Sequence, residues 1–81
     1  INTFTIHVPS LENRREDIES LVLFFADQLN HVLKTRKRFR AATLRILERR
    51  EWPGEVRELR NFIERLIVDS PGEVIEPTDV E

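Results

Sequence analysis

The sequence predicts an all-α fold, a small bundle of three to four helices carrying an extended N-terminal arm. Three observations lead there. Ile18, Leu21, Val22, Phe25, Leu29, Val32 and Leu33 recur at steps of three and four residues, which gathers them on one side of a helix. A second stripe, Val56, Leu59, Ile63, Leu66 and Ile67, follows the corner Trp52-Pro53-Gly54. Strand-like alternation is confined to Thr3-Phe4-Thr5-Ile6-His7-Val8, and one strand cannot form a sheet.

The chain of 81 residues has room for one domain. It has no cysteine, so a disulfide framework and a cysteine-based zinc site are both excluded. Thirteen basic and fifteen acidic residues give a net charge of −2, which argues against attachment to nucleic acid by bulk charge. With two glycines, no phosphate-cradling glycine-rich loop can be built. No nucleophile elbow or histidine-glutamate metal motif occurs, so the chain by itself is not expected to catalyse a reaction. The absence of an initiator Met suggests a fragment of a longer protein, and the absence of a long apolar run suggests a cytoplasmic one.

Taken in order, residues 1–10 form the arm, ending at Pro9, with His7 turned to solvent. The first helix is predicted over about 15–33, with Glu16 and Asp17 in its first turn, where carboxylates complement the helix dipole. Leu23 and Phe24 fall off the main stripe, which predicts cover on a second side by the arm or by a partner. Lys34-Thr35-Arg36-Lys37-Arg38-Phe39-Arg40 breaks the periodicity and reads as a connection. Its five basic residues are either a solvated loop at a helix C-terminus or a nucleic-acid contact. A short helix over about 41–51 presents Ala41, Leu44 and Leu47 or Ile46 inward.

The corner ends that helix, because Pro53 disfavours helical geometry at Trp52 while suiting the opening of the next one. The third helix is predicted over about 54–69. Ser70-Pro71-Gly72 is a turn, Val74-Ile75 a short apolar clip, and a final helix opens at Pro77 and is truncated. One residue carries an anion-directed signal: Arg57 lies in the first turn of the third helix, where the local field is positive. A planar guanidinium there suits phosphate, and a surface salt bridge with Glu58 is the other reading of the same residue.

Two blocks carry a family likeness. Pro9-Ser10-Leu11-Glu12-Asn13-Arg14-Arg15-Glu16-Asp17-Ile18 and Trp52-Pro53-Gly54-Glu55-Val56-Arg57-Glu58-Leu59-Arg60-Asn61 resemble the NtrC-like, sigma-54-dependent bacterial enhancer-binding proteins. The ending Gly72 to Asp79 matches as well. The resemblance implies the C-terminal end of an AAA+ ATPase domain, with residues 1–10 as the last strand of an omitted core and 11–81 as the helical lid. It places the sensor II arginine on Arg57 and assigns a contact on the adenine side to Leu11–Ile18, with Ile18 and Arg14 as the candidate residues.

The implied cofactors are ATP or ADP with magnesium in the parent protein, none held tightly by this fragment. The implied partners are the upstream core, neighbouring subunits of a ring, sigma-54 holoenzyme through the core, and DNA through a downstream helix-turn-helix domain. A small helical nucleic-acid-binding or protein-interaction module using the basic segment 34–40 is the alternative. The chain departs from the family pattern at Ser10, Glu12 and Glu55, where a second proline, an arginine and an asparagine are usual.

Overall fold

The computed structural model describes residues 11–81, so the predicted arm lies outside the described residues. Leu11–Asp17 winds as 3-10 turns interrupted at Arg14 (φ −140°, ψ 52°). α1 spans Ile18–Leu33, β1 Arg38–Phe39, α2 Ala41–Arg49, α3 Glu55–Asp69, β2 Val74–Ile75 and α4 Pro77–Val80. The all-α bundle expected from the two stripes is therefore present, with one miniature sheet added.

α1 packs on both α2 and α3, and α2 also packs on α4. Ile18, Val22, Phe25, Ala26 and Leu29 of α1 meet Leu44 and Leu47 of α2 and Leu59, Ile63, Leu66 and Ile67 of α3. Leu11, Trp52, Ile75 and Val80 belong to the same core. Burying a large aliphatic side chain contributes about 1.5–3 kcal/mol, so this shared core is what holds short helices that would be marginal alone.

The first helix begins later than its pattern suggests. Leu11 and Ile18 are both buried, and the tight 3-10 winding between them returns the chain to the core twice within eight residues. Asp17 then precedes α1 rather than lying within it, 3.5 Å from Arg14 Nε, and Glu19 is the acidic residue of the first turn. At the other end Lys34 takes a left-handed conformation (φ 58°), closing the helix onto Asn30 O. Val32 and Leu33, although on the apolar stripe, are exposed among the described residues, as are Leu23 and Phe24.

The basic connection is more ordered than a solvated loop. Asn30 Oδ1 accepts hydrogen bonds from Thr35 Oγ1 (2.7 Å) and Lys37 N–H (3.0 Å), while its Nδ2 donates to Lys37 O (2.9 Å). β1 then pairs in parallel with β2, Arg38 opposite Val74 and Phe39 opposite Ile75. Lys37 Nζ donates to Ser70 O and Gly72 O, and Arg40 pairs with Glu76 through Nε to Oε1 at 2.7 Å. Thr43, fully buried on α2, donates its hydroxyl to Ile75 O at 2.8 Å. Ala41, expected inside, is exposed; Thr43 and Leu44 occupy the inner face with Leu47.

α2 stops at Arg49, two residues before its expected end, because Arg50 is extended (φ −72°, ψ 153°) ahead of Trp52-Pro53. Its last carbonyls are satisfied from three directions. Arg50 N–H donates to Ile46 O and Leu47 O, the Trp52 indole N–H to Leu47 O at 3.0 Å, and Arg15 Nη1 to Glu48 O and to Arg50 O. Orphan carbonyls at a helix end normally need such partners.

Candidate functional site

The site is built on the corner between α2 and α3. Gly54 caps α3, and its N–H donates to Glu58 Oε1 at 2.7 Å. A Cβ on Gly54 would lie 2.7 Å from Glu58 Cβ, closer than side chains tolerate, so the fold of this corner requires glycine. Glu55 N–H donates to Trp52 O at 2.9 Å. Two donors of the helix start are thus used within the corner itself, and side chains, more than bare backbone amides, make up its anion-binding potential.

Glu55 adopts a positive φ of 58°, which costs a non-glycine residue about 1–2 kcal/mol. Its carboxylate accepts the Leu11 N–H at 2.8 Å, tying the first described residue to the helix that carries Arg57. Both carboxylates nearest Arg57 in sequence are consequently engaged with backbone N–H groups. Arg57 itself is exposed and makes no ion pair among the described residues. The salt bridge to Glu58 that the sequence allowed is not formed.

Arg57 opens onto a shallow cleft of about 460 Å³. Asn61 and Arg65 line it at successive four-residue steps along α3, the spacing that places residues on one helix face. Arg50 and Phe62 form the side nearer α2. The Arg50 guanidinium carbon stands 4.4 Å from the Phe62 ring centroid and 5.5 Å from that of Trp52. The two rings meet edge to face, 5.4 Å apart at 70°. Three arginines and one carboxylate, the latter turned to Gly54, give the cleft a cationic surface suited to phosphate oxygens.

Of the other residues singled out by sequence, Ile18 is fully buried in the core and presents no accessible surface among the described residues. Arg14 lies near the start of α1, its Nε buried without a hydrogen-bond partner, and it does not line the Arg57 cleft. The structure therefore does not bring Ile18 and Arg14 together with Arg57 in one cavity of the described residues. Arg50, Phe62 and Arg65 are cleft residues that the sequence reading left unassigned. The four-residue spacing of Arg57, Asn61 and Arg65 was the available signal for one of them; the arrival of Arg50 from α2 was not visible. No group of three or more His, Cys, Asp or Glu able to hold a metal occurs among the described residues.

A family model described as an AAA+ ATPase lid domain matches residues 12–81. The chain belongs to that family. The lid is also similar to several curated proteins. It is 42% identical over 77 residues to the formate hydrogenlyase transcriptional activator FhlA of Escherichia coli, covering 94% of this chain and 11% of that protein. It is 37% identical over 83 residues to a putative response regulator NtrX-like of Rickettsia typhi, covering 95% of this chain and 18% of that protein. It is 42% identical over 76 residues to a protein named limonene hydroxylase from Geobacillus stearothermophilus, covering 88% of this chain and 14% of that protein. The lid thus spans less than a fifth of each of these relatives. No helix among the described residues is long and apolar enough to cross a membrane.

Proposed function

We propose that this lid serves an ATP-dependent bacterial transcription activator of sigma-54 RNA polymerase, and that Arg57 is its sensor II arginine. The observation that carries the reading is the state of Arg57: exposed in the first turn of α3, without an ion pair among the described residues, on a cationic cleft. An arginine whose neighbouring carboxylates are already occupied keeps its planar fork available for a phosphate group. The family, and relatives with names such as transcriptional activator and response regulator, support the wider context.

In the parent protein the nucleotide, ATP or ADP with magnesium, sits against an upstream AAA+ core, and the lid contributes Arg57 to its phosphates. Magnesium ligands belong to that core in this scheme. Lid position follows the state of the nucleotide because Arg57 is rigidly joined to the bundle through α3. Ring neighbours, sigma-54 holoenzyme and DNA are contacts of the core or of a downstream domain, in the cytoplasm.

The chemistry assigned to Arg57 is electrostatic. It binds and orients phosphate oxygens, and its charge stabilises negative charge as it develops on them. The decisive experiment is Arg57→Ala in the full-length protein, followed by ATP hydrolysis and transcription activation. Both are expected to fall by 10-fold or more while the protein remains folded. Unchanged nucleotide-dependent activity overturns the role of Arg57.

The structure favours no second reading for residues 34–40. Lys37 and Arg40 are committed to Ser70, Gly72 and Glu76, which leaves Lys34, Arg36 and Arg38 as the cations of that segment without such a partner among the described residues.

A further inference from the structure

We propose that Arg50 is a second anion-contacting residue of the Arg57 cleft, so that the lid grips a polyphosphate chain at two points. This inference rests on the reading of Arg57 given above. Arg50 belongs to neither long stripe of the sequence and reaches the cleft from the end of α2, whereas Arg57 comes from the start of α3.

Its placement is fixed from both ends of the residue. The backbone N–H donates to Ile46 O and Leu47 O, and the carbonyl accepts Arg15 Nη1 at 3.1 Å. The guanidinium lies against the rings of Phe62 and Trp52, and Trp52 is itself locked by its indole bond to Leu47 O. A guanidinium held by aromatic rings is oriented without spending its N–H donors, which remain free for phosphate oxygens. Arg50 makes no ion pair among the described residues, although a neighbouring cleft that it also borders contains Asp69, Asp79 and Glu81. An arginine positioned by aromatic packing instead of a carboxylate is a prepared site whose ordering cost is already met.

Two cations on one cleft favour an extended ligand. Arg50 rests on Phe62 at the end of α2, Arg57 projects from the first turn of α3, and both line the same cleft. Two guanidiniums that enter one cleft from different elements suit a chain of several phosphates better than a single phosphate group. The chemistry predicted is discrimination: the nucleotide with the longest phosphate chain engages both arginines, and the monophosphate engages at most one.

The test uses the full-length protein and measures equilibrium binding of ATP, ADP and AMP to the parent and to Arg50→Met, Arg50→Gln and Arg57→Ala. Arg50→Met keeps an apolar chain against Phe62 and removes the charge; Arg50→Gln keeps polarity. Both are expected to weaken ATP by 5-fold to 20-fold and AMP by less than 2-fold. Inorganic tripolyphosphate is expected to displace ATP from the unmutated protein at much lower concentration than inorganic phosphate, a readout that does not depend on any variant folding.

ATP affinity preserved in both Arg50 variants but lost in Arg57→Ala overturns the role of Arg50 and leaves that of Arg57 standing. Affinity preserved in all three variants overturns both. Equal weakening of ATP and AMP shows that Arg50 acts only through packing, and equal potency of tripolyphosphate and phosphate removes the extended-ligand argument; either result overturns the inference.

Discussion

Replacing Glu55 separates two opposing contributions at the site helix. Its carboxylate accepts the Leu11 N–H at 2.8 Å, and its backbone holds a φ of 58°. A hydrogen bond to a charged group contributes about 1.5–3 kcal/mol. The lower end, about 1.5 kcal/mol, applies because Glu55 is only half-buried. Glu55→Ala loses this bond and keeps the positive φ. At about 4–8 °C per kcal/mol for a domain of this size, its melting temperature should fall by roughly 6–12 °C.

Glu55→Gly loses the same bond but recovers about 1 kcal/mol of backbone strain, leaving a net loss of about 0.5 kcal/mol, or roughly 2–4 °C. Glu55→Gln, which retains an acceptor oxygen, should fall between the parent and Glu55→Ala. Thermal unfolding followed by helical circular dichroism gives the order. Amide exchange at Leu11 gives the location, since it should accelerate in the Ala and Gly variants. A Glu55→Ala protein melting within 2 °C of the parent, or a Gly variant no more stable than the Ala variant, would refute this account of the residue.

Gly54→Ala should destabilise by about 1–3 kcal/mol, because the new methyl meets Glu58 Cβ at 2.7 Å and the corner must shift; urea unfolding should show a lower midpoint with unchanged slope. Thr43→Val should cost about 1 kcal/mol through loss of the buried bond to Ile75 O, and Thr43→Ser should retain most of it. The hydrogen bond from Arg40 lowers the Glu76 pKa, outweighing the opposing effect of burial. Folding is therefore favoured by this pair above the ordinary glutamate range near about 4.3, and the contribution is lost as pH falls through the lower folded-state value. Stability curves of the parent and Glu76→Gln should converge in that acid window; a constant difference down to the lowest pH would remove the pair as the cause.

Much of the bundle was legible because its helices obey one rule. Ile18, Val22, Phe25 and Leu29, and then Leu59, Ile63, Leu66 and Ile67, lie on apolar stripes of helical period, and the structure buries all of them. Trp52-Pro53-Gly54 was equally readable, since proline and glycine constrain the backbone locally. The family likeness drawn from the two sequence blocks agrees with the lid family that the chain belongs to.

What was not legible depends on residues distant in sequence. β1 finds β2 across 36 residues, and Thr43 turns inward to reach Ile75 O; each is a pairing that no local pattern encodes. The same holds within the site. Arg57 was marked by its place in a first turn, but both a salt bridge with Glu58 and an open phosphate-facing fork were compatible with that place. Only the folded corner, where Glu58 turns to Gly54 and Glu55 reaches Leu11, leaves Arg57 free among the described residues.

By itself, then, the sequence determined the helices, the corner between α2 and α3, and the place of Arg57 in the first turn of α3. These follow from periodicity and from backbone restrictions, which act within a few residues. The tertiary structure decided which carboxylates are spent, which arginines share the cleft and that Ile18 is core. Those outcomes depend on hydrogen bonds and ring contacts made across the chain, between Leu11 and Glu55 or Arg50 and Phe62, and such contacts exist only after the helices have packed.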